Sequence, residues 1–231
     1  LLYMSDPDNI NLCGMAVHFS GLSFGQCTLQ GGDRCIERGW VTAVSGASFA
    51  IKISLSIKKP SQSKRTFMYY EDTDLSWRAW LAGFRSVSAP DSIVIHDAPL
   101  HGSANALYYA TRNRLVMLLK TWKILTLILL APGLLLAETI DWLTMFLYGS
   151  EATRSKARGY TWLIHNFQSI LKRRKDAQKQ CVKPDWFLLR QCSPILKPTV
   201  MQGGLIGKGL IAVVNGLFWV NYWFAFILCR L

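Results

Sequence analysis

The stretch FMYYEDTDLSWRAWLAGFRSVSAPDSIVIHD, residues 67–97, holds the most informative pattern in the chain. It opens with an apolar, aromatic tetrapeptide and then sets three carboxylates, Glu71, Asp72 and Asp74, within four positions. Acidic side chains favour helix N-termini, where they accept hydrogen bonds from free N–H groups and oppose the helix dipole. The carboxylates therefore predict the start of a helix at this point.

The rest of the stretch predicts that helix and a strand after it. Residues 72–83 place Leu75, Ala79 and Ala82 on one helical face, and Gly83 is a natural C-cap. Extended segments follow, punctuated by a proline, and the last apolar run ends at His96.

Upstream residues complete a mixed α/β pattern. Residues 39–55 are rich in strand-forming residues, with Ser45 and Gly46 as the expected break between two short strands, and residues 58–65 are polar and predict an exposed loop. The order strand pair, loop, helix, strand favours an α/β domain over a helical bundle, and we assign it to residues 1–120.

Residues 121–231 form a second, helical region. The uncharged run 124–137 has only about 14 residues and contains Pro132, so it is short for a spanning helix, which needs roughly 20. It predicts a re-entrant or interfacial segment. Residues 209–229 are long enough to span a bilayer, and Trp219, Tyr222 and Trp223 suit a membrane interface.

The chain is strongly basic. Its 231 residues carry a net charge of +12, which indicates an anionic partner. Within the basic segment 151–183 the cations are Arg154, Lys156, Arg158, Lys172, Arg173, Arg174, Lys175, Lys179 and Lys183. Because they adjoin apolar runs, we expect contact with an anionic membrane surface on the cytoplasmic face, and no nucleic-acid partner. The alternative is a buried core hairpin beside a solvated basic helix.

Six cysteines are scattered without metal-ligand spacing, so we expect reduced thiols and a cytoplasmic-type redox setting. The chain begins LLYMSDPDNINLCG, which has neither an initiator methionine nor the features of a signal peptide. We expect it to be the C-terminal part of a longer protein.

Two features favour a functional site over simple helix capping at the acidic cluster. The aromatic residues before it predict a partly buried position, where the pKa of a carboxylate can be tuned. About 22 residues on, His96 and Asp97 lie at the end of an apolar strand, and strand ends are where ligand sites form in α/β folds.

The same stretch closely resembles family 2 glycosyltransferases of the GT-A (Rossmann-like) fold, in the subgroup of bacterial rhamnosyltransferase-like enzymes of polysaccharide assembly. INLCGMAVHFSGLSF, VSGASFAIK and YYATRNRLVMLLK are similar to that subgroup as well, so the resemblance covers about residues 6–120. It implies a partial GT-A domain followed by a membrane-associated helical region.

The resemblance implies roles for named residues. Asp72 would be the general base that deprotonates an acceptor hydroxyl, and Glu71 would support it. His96 would help to hold a divalent metal, Mg²⁺ or Mn²⁺, on the diphosphate of a nucleotide-sugar donor. Asp74 would cap or support the helix. The candidates for substrate binding are Trp77, Arg112 and Arg114, with Asn113 between the two arginines; the alternative for the arginines is that they hold a helix at the membrane surface.

The chain departs from the family pattern in three places. The nucleotide-binding half, with its Asp-x-Asp metal motif, is missing, and Asp6-Pro7-Asp8 has the letters of that motif but the position of a turn. Residues 60–64 read PSQSK where the family has Gly-Gly-Phe-Asp-Glu near the acceptor. A GT-A domain lacking its first half would not hold a donor, so we expect these 231 residues to be inactive alone.

Together the patterns predict a metal-dependent, inverting hexosyltransferase, active as the full-length protein and associated with the cytoplasmic face of the cell membrane. It would transfer a sugar from a nucleotide-sugar donor to a glycan or lipid-linked acceptor. The alternative is a non-catalytic membrane-interaction remnant of a decayed transferase.

Overall fold

The computed structural model describes residues 1–27, 39–51, 68–97, 104–196 and 205–231. In these ranges the chain is mixed α/β and mostly helical, with two small sheets that precede or flank a set of long helices. The predicted loop at 58–65 and the departure at 60–64 lie outside the described residues.

The two sheets have two strands each. Strand β1 (Leu2–Tyr3) pairs in parallel with β4 (Ile95–His96), and β2 (Met15–Val17) pairs antiparallel with β3 (Ser23–Gly25). The predicted strand pair at 39–55 is reduced, in its described part, to isolated bridges from Trp40 to Val87 and from Ala43 to Met15. The predicted break is a turn in which the Ser48 N–H donates to the Ser45 carbonyl at 3.3 Å.

Helix α1 (Glu71–Leu81) confirms the helix predicted from residues 72–83. Gly83 has a φ of +91°, its N–H donates to the Trp80 carbonyl, and the Phe84 N–H donates to the Ala79 carbonyl. These two bonds form a Schellman motif, which glycine favours because it lacks a Cβ. The side chains that α1 buries include Trp77, Trp80 and Leu81, whereas Leu75 and Ala79 are only half-buried.

Six more helices follow among the described residues. Their bounds are α2 (Ala104–Thr121), α3 (Ile124–Tyr148), α4 (Ser150–His165), α5 (Phe167–Gln178), α6 (Asp185–Leu189) and α7 (Leu205–Leu228). The short re-entrant or interfacial segment predicted from the apolar run is wrong in length, because α3 continues through Pro132 for 25 residues. Residues Ile124–Tyr148 and Gly207–Leu228 are long and apolar enough to cross a membrane.

Helix α3 accommodates its proline through a side chain of α7. The Asn221 amide donates to the Leu129 carbonyl at 2.9 Å and accepts from the Gly133 N–H at 3.0 Å. These two backbone groups would pair with each other in a regular helix. Asn221 therefore supplies hydrogen bonds beside the position where Pro132 has no N–H to donate.

One continuous apolar core joins the sheets and α1 to α3 and α7. Its fully buried members include Val17, Phe19, Trp77, Trp80, Leu81, Trp122, Leu130, Ala137, Leu188, Leu189, Phe218 and Ala225. At its edge lies a cluster of paired charges, in which Arg114 and Lys156 both bind Glu138 and Asp141. Tyr160 also donates to Glu138. Burial of charge in this cluster is tolerated because each cation faces carboxylates.

Among the described residues, one cysteine departs from the expected reduced state. Cys27 is disulfide-bonded, whereas Cys181, Cys192 and Cys229 carry thiols. Burial raises the pKa of the Cys192 thiol well above its usual value, which makes that thiol unreactive. Cys35 lies outside the described residues.

Candidate functional site

The acidic pair follows a strained turn. Tyr69 and Tyr70 have φ of 63° and 67°, a left-handed conformation that aromatic residues rarely adopt. The Asn113 amide of α2 donates to the carbonyls of Met68 and Tyr69, at 2.7 and 2.8 Å. Asn113 thus holds the turn from which the first residues of α1 project. Strain of this kind persists only where the surrounding contacts fix it.

Asp72 is oriented by hydrogen bonds to both of its carboxylate oxygens. Oδ2 accepts from the Gly46 N–H at 2.7 Å, while Oδ1 accepts from the Thr73 N–H at 2.6 Å and the Thr73 hydroxyl at 3.2 Å. A carboxylate has about four acceptor positions. Among the described residues three are used, which leaves room for a hydroxyl donor at the half-buried side chain.

Glu71 lies beside Asp72 on the same glycine. A Cβ built on Gly46 would lie 3.4 Å from Asp72 Oδ2 and 3.5 Å from Glu71 Oε1, so both carboxylates converge on this backbone. Burial raises the pKa of Glu71, and the negative charge of Asp72 raises it further. Two adjacent carboxylates, of which Asp72 is fixed by a backbone hydrogen bond, suit a general base and a supporting acid.

Asp74 has a different role from its neighbours. Its carboxylate lies 2.7 Å from Lys120 Nζ of α2 and 3.0 Å from Arg78 Nε of α1. Asp74 is only 7% exposed, so the pair ties α1 to α2 in a buried position. Asp74 therefore supports the helix, as one of the two predicted roles has it, through its ion pairs with Arg78 and Lys120.

A cleft of about 510 Å³ lies close to Gly46, the residue that binds Asp72, but neither Glu71 nor Asp72 lines it. Ser45 and Ser48, which flank the Asp72-binding Gly46, line one side, and Ile10 and Leu12 line another. A volume of this size is typical of small-molecule sites. The segments that close the rest of the cleft come from residues 1–2, 41–50 and 87–93.

His96 is not among the residues that line this cleft, and it approaches the cleft only through Asn11. Its Nδ1 is 3.3 Å from the Asn11 side-chain oxygen, and Asn11 stands between the cleft-lining Ile10 and Leu12. No group of three or more His, Cys, Asp or Glu side chains gathers there or elsewhere among the described residues. These residues therefore do not by themselves fit the divalent metal that the resemblance implies, because His96 offers one nitrogen without a carboxylate partner.

The three candidate substrate-binding residues are turned inward. Trp77 is completely buried, with its ring centroid 5.1 Å from that of Trp122, and Arg114 is 2% exposed in the charge cluster. Arg112 is 6% exposed and its guanidinium lies over the rings of Tyr109 and Trp162 at 4.8 Å. Their positions leave little surface for a substrate or for membrane contact.

Arg112 and Arg114 instead position other groups. Arg112 Nε donates to the Asn113 side-chain oxygen at 2.9 Å, which orients the amide that holds the strained turn. Arg114 donates to the Ser20 carbonyl at 3.0 Å and so connects α2 to the β2–β3 hairpin. The Arg-Asn-Arg segment thus acts on the acidic pair indirectly, by holding the turn that precedes it and by fixing α2.

Asp6-Pro7-Asp8 forms a turn, as its position in the chain predicts. The Asn9 N–H donates to the Asp6 carbonyl at 3.1 Å, and the Asn9 amide donates to the Asp6 carboxylate at 2.8 Å. The Asp6 oxygen is used within the turn rather than held for a metal.

Sequence reasoning missed two residues of the site. The sequence pattern marks Gly46 only as a strand break, yet Gly46 binds Asp72. It marks Asn113 only as a candidate for substrate contact, yet Asn113 holds the turn before the acidic pair. Their partners lie 26 and 45 positions away in the chain. A hydrogen bond between such distant positions leaves no spacing pattern. The quoted similarity of VSGASFAIK and YYATRNRLVMLLK was the available signal.

Comparisons of the whole chain with protein-family models, with curated proteins and with solved structures give no match.

Proposed function

We propose that the chain carries the acceptor-activating part of an inverting glycosyltransferase with a GT-A domain, acting on a glycan or lipid-linked acceptor in cell-surface polysaccharide synthesis. The observation that carries the proposal is the Asp72 carboxylate at the start of α1, which Gly46 and Thr73 hold by hydrogen bonds beside a second carboxylate, with a cleft close to Gly46. The assignment of Asp72 as the base comes from the sequence resemblance, and this geometry is compatible with it.

The reaction assigns one proton transfer to this chain. Asp72 accepts the proton of the acceptor hydroxyl while that oxygen attacks the anomeric carbon of the donor sugar. The bond from the anomeric carbon to the diphosphate oxygen breaks, and its electron pair leaves with the nucleoside diphosphate. Attack from the face opposite the leaving group inverts the anomeric configuration.

Glu71 supports this base electrostatically. Burial and the Asp72 charge raise the pKa of Glu71, whose carboxyl group lies next to the base. A divalent ion, when bound, would stabilise charge on the departing diphosphate. The described residues gather no group of three or more His, Cys, Asp or Glu side chains, so most of its ligands would have to come from outside them.

The test replaces Asp72 by asparagine in the full-length protein. Asparagine keeps the size of the side chain and one acceptor oxygen, but it cannot take a proton, so we expect sugar transfer to fall by about 10²-fold or more. Donor binding, followed by calorimetry, should stay within about twofold of wild type. Near-normal turnover in D72N would contradict the assignment of the base.

Glu71→Gln is the matched control. It removes a neighbouring carboxylate of the same helix turn while leaving the Gly46 and Thr73 contacts of Asp72 in place. We expect a smaller loss of transfer than in D72N, and a pH–rate profile with its acid limb shifted. If E71Q loses as much as D72N while binding its donor normally, the roles of the two carboxylates are exchanged.

The second candidate is a non-catalytic membrane-interaction protein. It is favoured by the two long helices, which are apolar and largely uncovered. Under this candidate the wild-type protein binds vesicles but transfers no sugar from any nucleotide donor, and D72N is indistinguishable from it. Detectable transfer that depends on Asp72 excludes this candidate.

A further inference from the structure

The helices α3 and α7 are packed side by side in opposite directions. Near one end the Thr126 hydroxyl lies 3.5 Å from the Cys229 sulfur, and further along Asn221 binds Leu129 and Gly133. Residues later in α3 therefore contact residues earlier in α7, which makes the two helices antiparallel. We call this antiparallel pair, Ile124–Tyr148 with Leu205–Leu228, the platform.

One face of the platform is covered along its length by the rest of the protein. At the start of α3 the Thr126 hydroxyl donates to Asp185, and further along Asp141 binds Arg114. About one helical turn beyond Asp141, the Met145 carbonyl accepts from the Thr153 hydroxyl at 3.1 Å. Between these ends, a Cβ on Gly133 would lie 2.7 Å from the Phe19 ring.

Helix α7 is covered in the same way. Asn215 exchanges two hydrogen bonds with the backbone of Leu196, the Phe218 ring lies 4.6 Å from the His18 ring, and the Tyr222 hydroxyl donates to the Leu189 carbonyl at 3.0 Å. The contacts run from the middle of the helix to its last turns. Both helices are therefore bound to the α/β part at several points along their length.

The opposite face is apolar and uncovered. Its large exposed side chains are Ile124, Leu125, Ile128, Leu135, Leu143, Phe146, Leu147, Leu210, Val213, Leu217, Val220, Phe224 and Ile227. Only 22% of the most apolar window of α3 and 17% of that of α7 are buried, so neither is the core helix of a soluble protein. An exposed apolar surface of this extent marks an interaction site.

We propose that the platform lies flat in one leaflet of a bilayer, with both helix axes along the membrane plane, and does not cross the membrane. Crossing would carry the covering groups, among them Arg114, Asp185 and His18, to the depth of the hydrocarbon, where charged and polar groups are costly. Lying flat buries the apolar face and leaves the covered face, with the rest of the protein, in water.

The occupant of this face is lipid rather than a second copy. The chain carries a net charge of +12, so two copies repel each other, whereas anionic head groups attract it. Both carboxylates of α3, Glu138 and Asp141, turn inward to Arg114 and Lys156, so no acidic group on that helix faces the lipid. Trp219 and Trp223 on α7 suit the head-group boundary.

The test measures depth along α3. Ile128, Leu135 and Phe146 are separated by 7 and 11 residues, so their side chains lie on one line along the helix, and each is 62–68% exposed. The full-length chain carries a cysteine at one of these positions, is spin-labelled and is bound to vesicles of phosphatidylcholine and phosphatidylglycerol. Collision with oxygen and with a water-soluble nickel complex then reports depth.

A flat platform places the three labels at equal depth, within a few ångströms. A crossing helix separates the first and the last by about 27 Å along the bilayer normal, because about 18 residues each rise roughly 1.5 Å. A label at Met4, which is 62% exposed on the α/β part, should remain in water under the proposal. The parent protein, labelled identically, corrects for native thiols. A depth profile that passes through the bilayer centre overturns the proposal.

A second experiment separates lipid from a second copy. In vesicle flotation, Leu135→Asp combined with Phe224→Asp should weaken binding at least about tenfold, since a charge on a lipid-facing position is unfavourable. Met4→Asp, at a similarly exposed position off the platform, should change binding less than about twofold. If the wild type is instead a dimer without lipid, which the double variant makes monomeric while vesicle binding is kept, the proposal is wrong. Neither experiment depends on sugar transfer.

Discussion

His18 illustrates at the scale of a single residue how packing changes chemistry. Its ring is fully buried between Phe19 and Phe218, with centroids at 4.0 and 4.6 Å. Nδ1 lies 2.7 Å from the Ser20 hydroxyl, while Nε2 has no hydrogen-bond partner among the described residues. Burial lowers the pKa of His18 to about 3, and the nearby Arg114 charge contributes in the same direction.

This depressed pKa predicts an acid-sensitive fold. Between pH of roughly 6.5 and 3 the unfolded chain binds a proton at this position that the folded chain does not, so the unfolding free energy decreases as pH falls. His18→Leu removes this contribution. Between about pH 7 and pH 5 the wild type should lose about 2 kcal/mol more stability than the variant, as measured by denaturant titration at both values.

His165→Gln is the control for that measurement, because its ring is exposed on α4. Between about pH 7 and pH 5 the unfolding free energy of His165→Gln should decrease by as much as that of the wild type. Equal losses in all three proteins would show that His18 is accessible to protons in the folded state.

At the scale of elements, local signals predicted α1 but not α3. The acidic first turn and Gly83 lie within or next to the helix they delimit, so spacing alone places it. For α3, the charge-free run and Pro132 suggested a short segment, because a proline in a helix usually removes a hydrogen bond without replacement. In α3, Asn221, 88 residues after Gly133, bonds the neighbouring Gly133 N–H and Leu129 carbonyl, which holds the helix together around the proline. The strands were overestimated for a related reason, since pairing partners lie far apart in sequence.

The contact between Gly133 and Asn221 gives a test at this scale. Alanine ordinarily stabilises a helix interior relative to glycine by up to about 1 kcal/mol. At Gly133, however, a Cβ would lie 2.5 Å from the Asn221 oxygen and 2.7 Å from the Phe19 ring. We expect Gly133→Ala to destabilise the fold by roughly 1–3 kcal/mol in denaturant titration.

Gly216→Ala is the matched substitution. It lies in α7, and a Cβ there would have no neighbour within 4 Å. It should be neutral or stabilising. A stable Gly133→Ala protein would mean that α3 and α7 are not held at this separation.

At the scale of the whole molecule, the basic segment divides into cations that build the fold and cations that face solvent. Lys156 is completely buried in the charge cluster, and Arg174 donates to the carbonyls of Leu119 and Trp122. Lys172, Lys175 and Lys179, in and just after α5, are exposed beside the apolar Phe167 and Leu171. Composition predicted the anionic partner, but it could not separate these two groups.

The exposed lysines predict salt-dependent membrane binding. Replacing Lys172, Lys175 and Lys179 by glutamine should weaken binding to phosphatidylglycerol-containing vesicles by about 100-fold at low salt, at about 1 kcal/mol for each lysine. The difference should shrink in high salt, as the charges are screened. The same three positions changed to arginine keep the charge and should bind as the wild type does. If both the glutamine and the arginine variants bind vesicles as tightly as the wild type, the lysines do not contribute and the apolar platform alone accounts for membrane binding.

The bond between Asn221 and α3 also sets an order of events during protein synthesis. Gly133 is translated 88 residues before Asn221, which at roughly 5–20 residues per second corresponds to about 4–18 s. Throughout that interval α3 exposes the side that Phe218, Tyr222 and Ala225 will cover, as well as its outer side. Attachment to the bilayer in its final form therefore waits for α7, and a ribosome that stops before α7 releases a chain with α3 bare on both sides.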